Sequence, residues 1–96
     1  MKGTSVSPRD FDLVFGAANM LRQARLNEEA EKYYKRAVSL KPDEVTSHMN
    51  LGAMLHLNGK LREAESEYLQ ALRLRPNDTV TQNNLAKLRL LMQRRM

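Results

Sequence analysis

Residues 45–78 read VTSHMNLGAMLHLNGKLREAESEYLQALRLRPND, and residues 11–44 follow the same pattern without a gap. The three prolines of the chain, Pro8, Pro42 and Pro76, are spaced 34 residues apart. A fixed period of this length is typical of stacked helical hairpins, so the repeat predicts an all-α solenoid. Nine of the 34 aligned positions are identical: Met20/Met54, Leu21/Leu55, Glu29/Glu63, Ala30/Ala64, Glu31/Glu65, Tyr34/Tyr68, Ala37/Ala71, Leu40/Leu74 and Pro42/Pro76.

Each repeated unit contains two runs of apolar residues at helical spacing. In the second unit these runs include Leu51, Gly52 and Leu55, then Ala64 and Tyr68. Such spacing places the apolar side chains on one face of each helix. Small residues on facing helices let the backbones approach closely, and the tyrosine fills the space beside them. We therefore expect each unit to form a packed helix pair.

Turn and capping residues set the expected boundaries. Ser7 and Pro8 have the chemistry of a helix start, and Asn58-Gly59 that of a hairpin turn. Arg25 stands where the second turn has Gly59, so the first turn is either different or mildly strained. We predict about two and a half repeats, with five helices near 8–24, 28–41, 45–58, 61–75 and 79–95. The predicted units are a flexible segment at 1–6, unit 1 at 7–44, unit 2 at 45–78 and a capping helix at 79–96.

Composition narrows the class of function. The 96 residues suit one small domain, and no apolar run is long enough to cross a bilayer or to form a signal-peptide core. Cysteine is absent, which excludes disulfides and thiolate chemistry. The net charge is +5, but two Phe, three Tyr and no Trp offer few stacking platforms for bases. We therefore expect neither a nucleic-acid partner nor membrane contact by this part of the protein.

The repeat resembles the tetratricopeptide (TPR) family. The aromatic that usually stands near the start of each unit is replaced by Val14 and His48. The signature positions of small and large residues match in both units: Ala17, Ala18, Leu21, Ala30, Tyr34, Ala37 and Pro42, then Leu51, Gly52, Leu55, Ala64, Tyr68, Ala71 and Pro76.

The stretches 7–36 and 49–61 further resemble the C-terminal TPR region of the transmembrane-and-TPR-containing O-mannosyltransferases. This resemblance implies a lumenal position on an endoplasmic-reticulum membrane protein that mannosylates cadherin-type domains. The transferase chemistry of that family lies in a membrane portion that these residues do not match. A cytoplasmic location is the alternative.

Stacking of such units places each first helix on a concave side, where it offers a groove to a polypeptide partner. The expected surface mixes amide, cationic and apolar side chains, which suits an extended peptide. A structural spacer or self-assembly module without a groove ligand is the alternative function. The candidate groove residues are Asp12, Phe15, Asn19, Arg22, Gln23, Met49, Asn50, Ala53, His56, Asn83, Asn84 and Lys87.

Some TPR domains hold a partner's C-terminal carboxylate in a clamp. Asn19 and Asn50 match two amide positions of that clamp, but Phe15 replaces a lysine, and Val80 and Asn84 replace cations. Without these charges a buried carboxylate is poorly compensated. A carboxylate clamp is therefore not expected.

No catalytic constellation can be assembled from the sequence, and we predict no enzyme activity, metal or cofactor for this chain. His48 and His56 lie eight residues apart, too far round a helix to share one metal ion. We expect His48 to pack against its hairpin. The carboxylates of the second helices are predicted to be solvated: Glu28, Glu29, Glu31, Glu63, Glu65 and Glu67.

Two further features have open interpretations. Asn77-Asp78-Thr79 is an N-x-T sequon, so Asn77 is a candidate for N-glycosylation or, alternatively, a residue that favours a helix start. The last helix carries apolar residues that the preceding hairpin covers only in part. Exposed array ends of this kind predict self-association in concentrated solution.

Overall fold

The computed structural model describes the backbone of residues 8–94 and the side chains of residues 10–94. Over this range the chain forms five helices and no strand, which confirms the all-α prediction. The expected flexible segment, the Ser7 cap and residues 95–96 lie outside the described residues. The helices are α1 Pro8–Gln23, α2 Asn27–Leu40, α3 Val45–Leu57, α4 Leu61–Leu74 and α5 Thr79–Arg94.

The first four helices each end one residue earlier than predicted, and α2 begins one residue earlier. Lys41 and Arg75 were predicted to be the last residues of α2 and α4, but each lies just beyond the end of its helix. Their φ angles are −138° and −143°, outside the helical range. Their backbone N–H groups still donate to the carbonyls of Ala37 and Ala71, so both residues act as C-caps. The small differences therefore lie in the capping residues.

The helices stack as consecutive hairpins. α1 packs on α2 and α3 on α4, while α2 also packs on α3 and α4 on α5. α3 makes a further contact with α5. The molecule is elongated, with extents of 51 × 29 × 19 Å. Each second helix thus joins its own unit to the next one, which confirms the solenoid arrangement.

The core repeats with the period of the sequence. Tyr34 and Tyr68 are buried, each among small residues of its own hairpin. A Cβ atom added at Gly52 would lie 2.7 Å from Cε1 of Tyr68, so this position has no space for a side chain. The equivalent Ala18 does fit beside Tyr34. The second hairpin is therefore packed more closely at this point than the first.

α1 contains an aromatic pair, although Val14 stands at the position of the family's usual aromatic. Phe11 is buried and stacks on Phe15 with a centroid separation of 5.3 Å. The ammonium group of Lys41 lies 4.9 Å from the Phe11 ring centroid. The core and signature positions named from the repeat did not include Phe11.

The two hairpin turns have the same conformation. Arg25 and Gly59 both have positive φ, at 63° and 82°. In each turn the next residue bonds back to a leucine carbonyl of the helix, Leu26 to Leu21 at 2.9 Å and Lys60 to Leu55 at 2.8 Å. This is a Schellman cap, in which glycine is the usual left-handed residue. Of the two possibilities left open above, Arg25 is therefore the strained version of the same turn.

Candidate polypeptide-binding face

The packing of α3 distinguishes the two sides of the array. On one side α2 and α4 stand apart, and a cleft of about 420 Å³ lies between them. Leu51 and Leu55 of α3 line this cleft, together with side chains of both second helices such as Val38 and Ser66. On the other side α3 reaches α5. The first helices of the last two units, α3 and α5, thus approach each other, whereas the second helices α2 and α4 are separated by the cleft.

The candidate groove residues are all accessible. By contrast, three apolar residues of α3, Leu51, Met54 and Leu55, are at most 2% exposed. Asp12, Arg22, Gln23, Asn83 and Lys87 are exposed, and Phe15, Asn19, Met49, Asn50, Ala53, His56 and Asn84 are half-buried.

Two of the candidates are held by the first hairpin itself. The Tyr34 hydroxyl donates to Oδ1 of Asn19, and Nε of Arg22 donates to the same hydroxyl at 3.0 Å. Phe15 lies edge-on to the Tyr34 ring with a centroid separation of 5.8 Å. The buried tyrosine thus reaches the accessible side of α1 and orients an amide and a guanidinium there. Sequence reasoning placed these residues on that face but missed their link to Tyr34.

The second unit lacks this polar link. Residues 34 positions after Asn19 and Arg22 are Ala53 and His56. Met49 and Ala53 pack against the core, so this part of the face is mainly apolar. Burial raises the pKa of the Tyr68 hydroxyl above its usual value. The fixed amide and cation are therefore specific to the first unit.

Charge is distributed unequally between the two helix types. α3 and α5 contain no Asp or Glu, whereas α2 begins with Glu28 and Glu29 and α4 has Glu63 in its first turn. Arg22 and Lys87 are exposed cations among the candidate groove residues. α3 and α5 thus present a face without carboxylates. Such a face disfavours cationic ligands and favours anionic ones.

His48 packs inside the second hairpin, as expected. Its Nε2 donates to the Pro42 carbonyl at 2.6 Å, and its Nδ1 lies 2.8 Å from Oε1 of Glu67. The same backbone contact recurs 34 residues later, where Nε2 of Gln82 donates to the Pro76 carbonyl at 2.6 Å. His48 is therefore a structural residue. The described residues contain no cluster of His, Asp and Glu that could hold a metal ion.

Glu31 corrects the prediction that the carboxylates of the second helices are solvated. It is 4% exposed, and its oxygens accept hydrogen bonds from Asn58 at 2.8 Å and Lys60 at 2.9 Å. Lys35 forms a second ion pair with it at 3.0 Å. Burial by itself would raise the pKa of Glu31, but the bonds from Lys60, Asn58 and Lys35 outweigh burial and lower it to about 2.

The same contact joins the next pair of units. Glu65, which stands 34 residues after Glu31, lies 3.0 Å from Nε of Arg89. Both carboxylates therefore link a second helix to the following unit. The repeat itself indicated that these two positions are equivalent, since both carry Glu. Their cationic partners, Lys60 and Arg89, differ in residue type and in position within the repeat.

Comparison with known proteins is consistent with these features. The family model described as tetratricopeptide repeat matches residues 6–79. The human protein O-mannosyl-transferase TMTC2 is 63% identical over 46 residues, which is 48% of this chain and 6% of that protein. The human protein O-mannosyl-transferase TMTC1 is 36% identical over 63 residues, covering 62% of this chain and 7% of that protein. The chain thus spans a small fraction of these relatives.

A solved structure shares the fold. A chain from the CopN-Scc3 complex superposes with a TM-score of 0.87 and 18% sequence identity, over 92% of this chain and 52% of that chain. At this identity the likeness concerns the arrangement of helices. Within residues 8–94, no helix is long and apolar enough to cross a membrane.

Proposed function

The chain belongs to the tetratricopeptide repeat family, and on that premise we propose that its concave face binds an extended polypeptide segment. The observation that carries this proposal is the Asn19–Tyr34–Arg22 link, which holds an amide and a guanidinium on the accessible first-helix side. A side chain that is already oriented loses less conformational entropy when it binds. Arg22 keeps terminal guanidinium nitrogens that make no hydrogen bond within the described residues.

The side chains of this face suggest which residue types the bound segment contains. Amides and a guanidinium pair with backbone carbonyls, and the half-buried Phe15 and Met49 can receive apolar side chains. The absence of carboxylates from α3 and α5, together with Arg22 and Lys87, favours a segment with acidic residues. The ligand class is therefore an extended, acidic-to-neutral polypeptide.

The similarity to the O-mannosyl-transferases suggests a setting for this binding. In our proposal the chain is a non-catalytic docking portion of an endoplasmic-reticulum membrane O-mannosyltransferase, on the lumenal side. Its partner there is a cadherin-type acceptor or a protein that presents one. Supporting this setting are the 63% identity over 46 residues and the chain's small share of the relative's length.

Binding can be measured by fluorescence polarisation with labelled, unstructured peptides of equal length that are acidic, neutral or basic. We expect the acidic peptide to bind most tightly. The triple variant Gln23→Ala, Asn83→Ala, Lys87→Ala should weaken binding by about tenfold or more, since three contacts of ~0.5–1 kcal/mol are lost. These three side chains are exposed and make no hydrogen bond within the described residues, so the melting temperature should not change.

The matched control is the pair Lys32→Ala and Arg62→Ala, which removes exposed cations from α2 and α4. It should leave peptide affinity unchanged. Equal binding by the wild type and the groove variant, or no binding of any peptide, would contradict the proposal. Asn19 and Arg22 are not used in this test, because their replacement would also disturb Tyr34.

A specific observation favours a second candidate, self-assembly through α1. Leu13 and Met20 are 64% and 70% exposed on α1. The residues 34 positions later, Ser47 and Met54, are 0% and 2% exposed, because a preceding second helix covers them. The apolar α1 stripe, defined by Leu13 and Met20, is thus equivalent to a face of α3 that is buried in the array. In this alternative a second copy covers it.

Sedimentation velocity over a range of concentrations tests the self-assembly proposal. The double variant Leu13→Glu, Met20→Lys should sediment as a monomer at concentrations where the wild type associates. Leu69→Glu, which changes an exposed leucine of α4, is the control and should associate like the wild type. A wild-type chain that stays monomeric throughout the range would rule this candidate out.

A further inference from the structure

We propose that Asn77 is an N-glycosylation site, located in the turn between α4 and α5. This inference goes beyond peptide binding and depends only on the lumenal location in the proposed function. Asn77-Asp78-Thr79 is the single N-x-S/T sequence among the 96 residues. The side-chain amide of Asn77 is the group that would be modified.

The turn presents Asn77 to solvent. The backbone N–H of Asp78 bonds to the Arg75 carbonyl at 3.2 Å, so Pro76 and Asn77 occupy the two central positions of the turn. Both Asn77 and Thr79 are exposed. The Asn77 side chain makes no hydrogen bond to any described residue. A substituent on its amide nitrogen would therefore displace nothing.

The structure assigns the capping role to the next residue. Asp78 accepts a hydrogen bond from Oγ1 of Thr81 at 2.5 Å, and Gln82 holds the Pro76 carbonyl at 2.6 Å. The Asp78 carbonyl also accepts the backbone N–H of Gln82 at 3.0 Å, so, of the two interpretations that the sequence left open for Asn77, the N-cap position belongs to Asp78. The Asn77 side chain thus takes part in no hydrogen bond that stabilises the turn among the described residues.

The first unit provides an internal comparison. Its turn has the same hydrogen bond, from Glu44 N–H to the Lys41 carbonyl at 3.2 Å. The residue equivalent to Asn77 is Asp43, which is also exposed. Because the same turn forms with aspartate, its geometry does not require asparagine. The amide at position 77 is available for chemistry that aspartate cannot support.

The reaction is a group transfer from a lipid-linked diphosphate oligosaccharide. A bond forms between Nδ2 of Asn77 and C1 of the first N-acetylglucosamine. The C1–O bond to the diphosphate breaks, the lipid diphosphate leaves with the electron pair, and the amide nitrogen loses one proton. The donor and the transferase are those of the endoplasmic-reticulum lumen, and Thr79 supplies the hydroxyl that the sequon requires.

The test uses the chain behind a cleavable secretory leader, expressed in mammalian cells. Mass spectrometry before and after treatment with a peptide-N-glycosidase measures the glycan. We expect a glycosidase-sensitive mass in the wild type that disappears in Asn77→Gln and in Thr79→Ala and persists in Thr79→Ser. Asn83→Gln, which changes an exposed asparagine outside any sequon, should keep it.

A wild type without a glycosidase-sensitive mass, or a mass that persists in Asn77→Gln, would overturn the proposal. The leader delivers the chain to the lumen in either case, so this result is independent of peptide binding. Unglycosylated protein from bacteria serves as a second check. There Asn77→Gln should melt like the wild type, which excludes misfolding as the cause of a lost glycan.

Discussion

At the scale of single residues, the contact between Gly52 and Tyr68 separates the two hairpins. An added Cβ at Gly52 would lie 2.7 Å and 2.8 Å from two carbons of a ring that is 1% exposed. The ring cannot swing into solvent, because the surrounding side chains are also buried. Ala18 at the equivalent position shows that the first hairpin has adjusted to one methyl group more.

Gly52→Ala is therefore expected to destabilise the protein by about 1–3 kcal/mol through overpacking, although alanine favours helix formation. Urea unfolding followed by circular dichroism measures this change. Gly16→Ala is the matched control, since nothing lies within 4 Å of its added Cβ. It should leave stability unchanged or raise it by up to ~1 kcal/mol. Equal effects of the two substitutions would contradict the packing argument.

A second prediction concerns the strained turn. Arg25 has a φ of 63°, a conformation that costs a residue with a Cβ roughly 1–2 kcal/mol. Arg25→Gly should therefore raise the free energy of unfolding by about 1 kcal/mol, partly offset by the greater freedom of glycine in the unfolded chain. Chemical denaturation measures the change.

The control for this turn is Arg25→Ala, which removes the exposed side chain but keeps the left-handed strain. It should not increase stability. If Arg25→Ala and Arg25→Gly stabilise the protein equally, the gain comes from removing charge rather than from backbone relief. The reciprocal change Gly59→Ala should destabilise, since Gly59 has a φ of 82°.

At the scale of helices, Glu31 joins α2 to the turn between α3 and α4. Its carboxylate accepts bonds from Asn58 and Lys60, and Asn58 also donates to the Asn27 carbonyl at 3.1 Å. The bond to Glu31 raises the pKa of Lys60. This network connects consecutive units by charge as well as by apolar packing. Ionisation of this one buried side chain therefore contributes to the stacking of the two hairpins.

The pH dependence follows from the pKa of Glu31, which folding lowers from 4.5 to about 2. A carboxyl group with a lowered pKa stabilises the fold above about pH 4.5, and this contribution is lost as the pH falls toward 2. Its upper limit is on the order of 3 kcal/mol. The difference in unfolding free energy between the wild type and Glu31→Gln should thus be largest near neutral pH and shrink in acid.

Urea titrations at several pH values measure this difference. Glu29→Gln is the control, because Glu29 is exposed and forms no ion pair within the described residues. Its effect should be small and flat with pH. A Glu31→Gln effect that stayed constant from neutral pH into acid would show that the carboxylate charge does not couple the two units.

At the scale of the whole molecule, the helices differ in how many neighbours support them. α3 packs on α2, α4 and α5, whereas α1 has extensive contacts with α2 alone. In a solenoid, stability is approximately the sum of local terms between neighbours. The α1 end should therefore open more often than the centre.

Native-state hydrogen exchange measures this gradient. Amides of α3 should be protected close to the free energy of global unfolding, and those of α1 distinctly less. The variant Leu13→Glu, Met20→Lys changes only exposed side chains of α1 and should leave the protection of α3 unchanged. Equal protection of α1 and α3 would mean that the array unfolds as one unit.

Much of this architecture can be predicted from the spacing of residues. The 34-residue period, the helices and the accessible stripe on the first helices all follow from local pattern, because a helix has a fixed number of residues per turn. The period also predicts that the turns at Arg25 and Gly59 are equivalent positions. It does not predict that arginine adopts the conformation of glycine there.

Only the tertiary structure decided which polar residues form ion pairs and hydrogen bonds between helices. The sequence pattern treats Glu31 and Glu29 alike, yet one is buried in an ion pair with the next unit and the other is exposed. Likewise, Tyr34 reaches Asn19 and Arg22, while Tyr68 finds Ala53 and His56 at the same positions. The repeat alone determined the helical array, since its periodicity is local. Partners such as Lys60 for Glu31 arise only when separate units meet in space, so no local pattern specifies them.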